Sequence, residues 1–407
     1  MPIALRLAIV YGTLCIFTGV YLPYFPVWLK SKGLGPTEIS LIVALSLFLR
    51  LVVSPFFASV ADRLGDRRRV VIWLSMGAFV AASLFFWTDG FGPILLVALI
   101  LNMIYPSIGP LIETIAMRAR MEHGINYGRV RLWGSVTFIA ASAFTGWLLE
   151  WSPASIILIC FMATLAVNLG GAYLLPREEP PKKKRVSKRS SFADVLEIGR
   201  HPIFILFVLT ASLAQATHAV YYAFGTLAWQ KQGYPDTVIG LLWATGVVAE
   251  IVLFYISGPL MARLGAVKLL MIATGASVIR WTITAFSPHI ALLFVVQALH
   301  ALTFGAAHLG AVQFVAQAAP PRVAATAQSL YAAMASGVMM GLMTISIGPL
   351  YESIGSHTYF AMAGAGALAF AGALLLAMRW NGEALVPEDD EEPGGEPAVQ
   401  EEQEVAK

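Results

Sequence analysis

Long apolar segments recur along the whole chain and are separated by short polar loops. A helix needs about 20 predominantly apolar residues to cross the hydrocarbon core of a bilayer. The pattern predicts twelve membrane-spanning helices, near residues 5–29, 37–60, 70–88, 92–116, 129–149, 154–175, 203–228, 237–261, 267–286, 289–316, 323–350 and 357–379. The first segment opens after Arg6 and is long enough for a full span, so we expect no cleavable signal peptide.

Composition indicates the same class of protein. Apolar residue types make up 58% of the 407 residues and charged types 13%, against about 45–50% and about 25% in soluble domains. The mean hydropathy is +0.73. These values exclude a soluble enzyme, a mainly disordered protein and a nucleic-acid binder. The two cysteines, Cys15 and Cys160, fall inside apolar segments and indicate neither a disulfide framework nor a metal site.

The distribution of lysine and arginine predicts the orientation in the membrane. Lys30, Lys32 and Lys231 fall in odd-numbered loops, and Arg50 and Arg280 lie inside predicted spans. The other lysines and arginines lie at the termini or in even-numbered loops. Because positively charged loops stay in the cytoplasm, we expect a multi-pass protein of the cell (inner) membrane with both termini cytoplasmic.

The longest predicted loop divides the spans six and six. Its basic run at 181–186 would match a nuclear-localisation pattern in a soluble chain, but here it predicts a topology-setting cytoplasmic loop. Residues 191–199 could form a short amphipathic surface helix, and the acidic segment 388–404 predicts a disordered tail. The predicted organisation is an N-terminal bundle at 1–175, a linker at 176–202, a C-terminal bundle at 203–380 and a tail at 381–407.

The two halves can be aligned with each other at an offset of 200 residues. Thr37, Arg63 and Gly65 then match Thr237, Arg263 and Gly265, and several apolar positions between them are also identical. Many transporters are built from two such halves, with the substrate site at the midplane between them. The repeat therefore predicts a two-bundle transporter.

A charged glycine motif follows the second predicted span. It reads DRLGDRRR from 62 to 69, with Ala58 four residues before it. The motif resembles the major facilitator signature G-x-x-x-D-R-x-G-x-R-R, with alanine in place of the first glycine. The resemblance implies an all-α membrane fold of twelve helices in two six-helix bundles related by a pseudo-two-fold axis. It also implies a cytoplasmic gate motif formed by Asp62, Arg63, Gly65, Arg67 and Arg68.

The physical interpretation of this motif centres on its first acid. Asp62 can pair with the arginines and cap a neighbouring helix end, which would hold the cytoplasmic side shut in one conformation. The alternative is that the arginines only set the topology.

Ionisable residues inside predicted spans are costly in a bilayer and are therefore candidate functional groups. Span four carries Asn102 and Glu113 on one polar, small-residue face, and Arg131 lies near the start of span five. The others are Arg50, His218, Glu250, Arg280, His300 and His308.

The segment YGRVRLWGS at 127–135 resembles the lactose-permease type of sugar–proton symporter, and more closely the phenylpropionate permeases. The resemblance implies that Glu113 pairs with Arg131 and helps to hold the substrate, although a purely structural ion pair stays open. Phe138 stands where the sugar symporters have a stacking tryptophan. This difference argues against a sugar and is compatible with an aromatic or apolar ligand.

The second half carries an acid, an arginine and a histidine on three successive spans, Glu250, Arg280 and His300. The resemblance implies that these residues couple transport to protons. Thr303 replaces a second carboxylate of the lactose-permease type, so Glu250 is the better candidate for the proton carrier. Arg280 would favour its charged form when close and release it when apart. We expect His308 to be structural.

The predicted substrate cavity combines cations with aromatic rings. A carboxylate ligand needs a cation, which Arg50 or Arg131 could supply, and its apolar body needs rings. Tyr24, His218 and Tyr222 are the predicted cavity wall on spans one and seven.

The leading hypothesis is a monomeric proton symporter for a small organic solute such as an aromatic carboxylate. Its partners would be that solute, protons and the lipid bilayer, with no cofactor, metal or nucleic acid. A sugar or nucleoside symporter, or a drug exporter, of the same fold stays open. A non-transporting receptor or scaffold is the alternative from another class, and charges at mid-depth argue against it. The sequence has no serine–histidine or HExxH arrangement and no Walker P-loop, so we expect no enzyme activity.

Overall fold

The computed structural model describes residues 1–177 and 192–386, and within them the regular structure is entirely helical. The first half contains α1 Ile3–Ser31, α2 Pro36–Leu64, α3 Arg67–Ser83, α4 Phe91–Ile104, α5 Ile108–His123, α6 Tyr127–Glu150 and α7 Ile156–Ala172. The second half contains α8 Phe192–Arg200, α9 Pro202–Ala216, α10 Ala219–Lys231, α11 Asp236–Tyr255, α12 Ser257–Ala285, α13 Ile290–Ala298, α14 Ala307–Ala318, α15 Pro321–Ala333, α16 Met340–Ile354 and α17 Tyr359–Arg379.

These helices confirm the predicted fold class. Within residues 1–177 and 192–386, ten helical stretches are long and apolar enough to cross a membrane, and one of them, Arg322–Arg379, holds two predicted spans. The apolar helix Ile156–Ala172 is shorter and coincides with the sixth. The described residues are therefore consistent with twelve spans. The basic run at 181–186 and the acidic segment 388–404 lie outside the described residues.

The 200-residue repeat is present in the backbone. Both α1 and α10 end just before a glycine with a φ of 83°, Gly33 and Gly233. The next pair of turns lies at Gly65, with a φ of 66°, and at Gly265, with a φ of 70°. Glycine adopts this left-handed backbone without the steric cost of a Cβ atom, so the same turns end equivalent helices in the two halves.

The eighth span contains a break that hydropathy did not predict. The predicted eighth span ran to residue 261, but α11 ends at Tyr255 and the chain resumes a helix at Ser257. The change of direction comes at Gly265, inside α12. Gly265 lies between the predicted spans 237–261 and 267–286, so the turn comes where hydropathy separated them, and the positive φ of this glycine makes the turn.

Several spans are interrupted near their centres. Pro106 lies in a short 3₁₀ turn, Tyr105–Ser107, between α4 and α5. Span seven breaks at Thr217 and His218 between α9 and α10. Spans ten and eleven each contain a π-helical turn, Ala301–Ala306 and Met334–Met339. Interruptions of this kind free backbone groups and often mark functional sites.

The halves contact each other at one membrane face, the odd-loop face, which carries residues 32–35, 151–155 and 232–235. There α2 packs against α16, and α6 packs against α11. The Thr37 hydroxyl donates to Glu352 Oε2 over 2.5 Å, and the Thr237 hydroxyl donates to Glu150 Oε2. The two hydrogen bonds are related by the repeat. Each joins the start of the second span of one half, α2 or α11, to the end of a helix of the other half, α16 or α6.

Glycines let these helix pairs approach closely. A Cβ atom on Gly348 of α16 would collide with the Ser40 side chain of α2, and one on Gly146 of α6 would collide with the Asp236 carbonyl. Deeper in the membrane, Leu51 packs on Gly337. The opposite face, which carries the helix ends near residues 65 and 124, is the even-loop face.

We predict that Gly348→Val opens the odd-loop face, because the added side chain forces α16 away from α2. Overpacking of about 1–3 kcal/mol would shift the open population by at least about fivefold. The measurement is maleimide labelling of an S142C reporter in a C15S/C160S background. Ser142 is fully buried and its hydroxyl lies 3.3 Å from the Gly240 carbonyl on the second contact, between α6 and α11.

The matched control is Gly364→Val, because a Cβ atom on Gly364 would meet nothing within 4 Å. It should leave the labelling rate of the reporter unchanged. Equal rates in the Gly348 and Gly364 variants would contradict the assignment of this contact as the closure.

Candidate functional site

The charged residues of the two halves face one water-accessible cavity. The Arg131 side chain is 59% exposed and that of its neighbour Glu113 is 37% exposed. In the same half Arg50 is exposed, and Glu250 of the other half is 20% exposed. Exposed charges on membrane helices of both halves indicate a water-filled space between them, because a charge facing lipid is costly. Because the halves touch at the odd-loop face, this cavity opens toward the even-loop face.

The wall formed by the first half centres on the Glu113 carboxylate. Its Oε2 atom accepts hydrogen bonds from the hydroxyls of Tyr11, at 2.7 Å, and Tyr127, at 2.5 Å. Its Oε1 atom lies 3.9 Å from Nε of Arg131. The structure therefore brings the predicted pair together, but the two tyrosines make the shorter contacts. The guanidinium of Arg131 stays largely exposed to the cavity.

A second cation of the first half lies on α2. Arg50 is exposed, and within the described ranges it has no hydrogen bond or ion pair. Its neighbour Leu51 packs on Gly337 of the second half, so Arg50 lies where the two halves begin to separate. By the repeat, its position corresponds to that of Glu250.

The second half buries a cation instead. The Arg280 side chain is fully buried. Its NH1 donates to Thr303 Oγ1 at 2.8 Å and to His300 Nδ1 at 3.0 Å, and its NH2 donates to Gln297 Oε1 at 3.1 Å. The guanidinium also lies over the rings of Trp281, at 4.4 Å, and Tyr221, at 5.0 Å. Neutral acceptors and aromatic faces thus replace a carboxylate as its direct partners.

Glu250 reaches Arg280 only through a histidine. Oε2 of Glu250 lies 3.8 Å from Nε2 of His300, whose Nδ1 accepts a hydrogen bond from the Arg280 guanidinium. The expected direct approach of Glu250 to Arg280 is therefore absent from this conformation, because the imidazole lies between them. Glu250 is 20% exposed and His300 is 9% exposed, so the acid is the member of this chain that meets the cavity.

His218 extends the same network away from the cavity. It is fully buried, with Nδ1 3.0 Å from the Gln215 carbonyl and Nε2 3.1 Å from Thr303 Oγ1. A carbonyl can only accept, so Nδ1 carries the proton, Nε2 accepts from the Thr303 hydroxyl, and that oxygen accepts from Arg280. Tyr222 stacks on the imidazole and is half-buried. Of the two predicted wall residues on span seven, Tyr222 therefore lies at the cavity and His218 lies behind it.

Other predicted binding residues take different positions. Tyr24 is fully buried and donates to the Ser142 carbonyl at 2.8 Å, next to the contact between the halves. It is not on the cavity wall in this conformation, since the packing of α6 on α11 covers it. Asn102 is half-buried and donates to the hydroxyl of Tyr21 at 2.8 Å. Phe138 is half-buried on α6.

The gate motif makes contacts within the first half. Arg67 pairs with Asp62 at 2.6 Å, and Arg68 donates to the Tyr173 carbonyl at 2.9 Å. The helix cap, however, comes from another acid: Asp66 accepts from the backbone N–H of Arg69 at 2.9 Å at the start of α3. In this conformation Asp62, in the last turn of α2, pairs with Arg67 instead, and its capping of a neighbouring helix end stays a prediction. Arg63 is exposed, and Gly65 forms the turn.

Sequence reasoning missed several members of the site. Tyr11 and Gln297 were not assigned roles, and neither were Tyr221 and Trp281 as the rings around Arg280. Periodicity gives no signal for them, because aromatic residues are common in membrane helices. Within the described ranges, no group of three or more His, Cys, Asp or Glu side chains could hold a metal ion.

Comparison with known proteins identifies the family. A model of the MFS_1 like family matches residues 4–362. The chain belongs to this family of major facilitator transporters. The "Probable 3-phenylpropionic acid transporter" of Escherichia coli (strain K12) is 32% identical over 88% of this chain and 93% of its own length. The maltose permease of Geobacillus stearothermophilus is 28% identical over 82% of this chain and 84% of its own length.

A solved structure shows the same fold. The crystal structure of the nucleoside transporter NupG matches with a TM-score of 0.79 and 16% identity, over 93% of this chain and 100% of that chain. The MFS_1 like chain is thus a transporter rather than an enzyme, and the predicted family is confirmed. The roles of the individual site residues stay predictions.

We predict that Thr303→Val destabilises this MFS_1 like transporter, because it removes an acceptor of Arg280 and a donor to His218 inside the membrane. Leaving buried polar groups unpaired costs about 1–3 kcal/mol. The measurement is the thermal unfolding midpoint of the purified protein. Thr303→Ser keeps the hydroxyl and should unfold near the wild-type temperature. Equal midpoints for the valine and serine variants would contradict the hydrogen-bond assignment.

Proposed function

We propose that this transporter carries a small organic anion with an aromatic body in symport with protons. The observation that carries the proposal is the division of charge across the cavity. The first half presents the exposed cations Arg50 and Arg131. The second half presents one acid, Glu250, in front of a buried histidine and arginine. One wall is suited to an anion and the other to a proton.

The cations fit a carboxylate as cargo. A guanidinium binds a carboxylate through two parallel hydrogen bonds, and a fixed cation in mid-membrane without a carboxylate at hydrogen-bonding distance favours an anionic ligand. Tyr222 and Phe138 supply apolar rings for the body of the ligand. The substrate in the name of the probable 3-phenylpropionic acid transporter also combines a carboxylate with an aromatic ring.

Glu250 is the proposed proton carrier. Its carboxylate meets the cavity, whereas His300 is engaged by Arg280 on one side. A proton on Glu250 removes the negative charge from the second wall, so the halves can approach around a bound anion without a buried, uncompensated acid. Proton and anion would then favour the same closed state, and this shared preference is the coupling free energy of symport.

The orientation follows from the positive charges. With positively charged loops inside, the even-loop face is cytoplasmic in the cell inner membrane, and the conformation described above faces inward. The gate motif at Asp62 would then make its contacts with the other half only when the cytoplasmic side closes. We propose that the transporter works as a monomer, since each chain holds both halves of the cavity.

A neutral solute is the second candidate, favoured by the identity to a maltose permease. Sugars and nucleosides need hydrogen-bond partners, which Asn102 and Glu113 could supply. They give no reason for an exposed Arg50 without a partner. The anion therefore explains more of the cavity.

The first test of coupling uses proteoliposomes. An inward proton gradient should accelerate uptake of 3-phenylpropionate by the wild type. Glu250→Gln should remove this acceleration yet keep exchange of internal for external solute, because the proton site is lost while the anion site remains. The control Glu122→Gln changes an exposed acid of the even-loop face and should behave as the wild type. Gradient-driven uptake by the Glu250 variant would contradict the carrier role.

The second test concerns the anion site. Arg131→Lys should weaken 3-phenylpropionate binding by about tenfold, since a lysine keeps the charge but loses the planar fork and a charge-assisted hydrogen bond worth about 1.5–3 kcal/mol. Binding is measured by isothermal titration. Arg129→Lys, two residues earlier and exposed, is the matched control and should bind normally. Unchanged affinity in the Arg131 variant would leave only a structural ion pair with Glu113.

A further inference from the structure

A second cavity lies on the odd-loop face, outside the closure between the halves. It has a volume of about 1020 Å³ and is bounded by the ends of α1, α2, α10 and α16. Its accessible apolar side chains are Tyr351 and Ile354, in front of the nearly buried Leu34, Ile39 and Leu227. We call it the odd-loop vestibule. The packing of α2 on α16, with the hydrogen bond between Thr37 and Glu352, separates it from the central cavity.

The vestibule is lined by two of the three lysines of the odd-numbered loops. Lys30 and Lys231 are exposed at its wall, and within the described ranges neither ammonium group has a salt bridge. The third, Lys32, instead pairs with Asp89 at 2.6 Å and is not part of the lining. The odd-numbered loops carry few basic residues, as the positive-inside rule predicts. Two unpaired lysines at one cavity of this face are therefore not explained by membrane topology.

The acid of the lining is already engaged. The Glu352 carboxylate accepts the hydrogen bond of Thr37, which ties it to the closure. His357 is a further polar group of the wall. The nearby Glu38 carboxylate is engaged as well, since it accepts from the backbone N–H of Gly35. Lys30 and Lys231 are therefore the unpaired charges of the vestibule, and they can attract an anion.

The repeat-related side of the odd-loop face has the opposite charge. There Glu150 accepts from Thr237, and Asp236 accepts from Gln230 at 2.7 Å. Pro36 of the vestibule stands where Asp236 stands in the repeat. The pseudo-symmetry of the backbone is thus broken by charge, and an anion approaching this face is drawn to the vestibule side.

We propose that the odd-loop vestibule is a recruitment site for organic anions, with the ligand carboxylate between Lys30 and Lys231 and its apolar body on Tyr351 and Ile354. The inference rests on the proposed anionic cargo, and it adds a site distinct from the central cavity. Its volume is ample for a ligand of the size of 3-phenylpropionate. Anions held there would be concentrated at the closure before the halves separate.

The direct test measures the reactivity of the lysines in the purified full-length protein. Acetylation by a water-soluble succinimidyl ester is followed at Lys30, Lys231 and Lys32 by mass spectrometry, with 3-phenylpropionate or its neutral analogue 3-phenylpropanol present. The acid should slow acetylation of Lys30 and Lys231 and leave Lys32 unchanged, and the alcohol should protect none of them. Absence of protection by the acid, or equal protection by the alcohol, would overturn the proposal.

A variant distinguishes occupancy of the vestibule from a conformational change driven by the central site. In Arg131→Lys protein the central site is weakened, so protection that comes from the vestibule should persist at the same 3-phenylpropionate concentration. Protection that disappears together with central binding would overturn the vestibule site. Protection of the lysines without any gradient-driven uptake would contradict the proposed symport but would still support the vestibule site.

Transport kinetics provide the second arm. Lys30→Gln and Lys231→Gln should each raise the half-saturating 3-phenylpropionate concentration by about two- to fivefold, the range expected for one exposed ion pair, with an unchanged maximal rate. Lys32→Gln removes the same charge from the same face and should stay at the wild-type value. High salt should narrow these differences. Equal effects of all three substitutions would show that general surface charge, and not a site in the vestibule, causes them, and would overturn the proposal.

Discussion

A buried guanidinium organises the second half of this transporter. Arg280 is fully buried in the membrane interior, where an unsatisfied donor cannot turn to water. Three neutral acceptors and two aromatic faces hold it. Each acceptor comes from the tenth span, so the charge fixes how that span and the ninth pack together. His300 and Thr303 then extend the network, one toward Glu250 and the other toward His218.

The two halves share a backbone plan but treat their charges in opposite ways. The first half engages its acid in hydrogen bonds, since two tyrosine hydroxyls donate to Glu113, and it leaves Arg50 and Arg131 open. The second half covers its arginine and leaves Glu250 at the cavity. Arg50 and Glu250 occupy equivalent positions in the repeat. The two halves of the repeat thereby place a site for an anion and a site for a proton on opposite walls of one cavity. The proposed symport needs this arrangement.

Closure of the odd-loop face depends on small and uncharged contacts. Glycines permit the close approach of the helices, and hydroxyl–carboxylate hydrogen bonds join the halves on both sides of the pseudo-axis. Among the residues that the structure describes, no ion pair joins the halves at these two contacts. Such contacts are specific in geometry and modest in energy, so the halves can separate during a transport cycle. The charge difference between the two sides of this face remains available for recruiting the solute.

The sequence by itself determined the fold class, the spans and the inventory of polar groups. Each membrane helix satisfies its own backbone and must be apolar over a fixed length, so hydropathy finds it without knowledge of its neighbours. Gly65 and Gly265 showed the repeat for the same local reason. Only the tertiary structure decided that His300 stands between Glu250 and Arg280, that Tyr24 is covered, and that Tyr11 reaches Glu113. Those contacts depend on the rotation and packing of helices far apart in the chain, which no local pattern encodes.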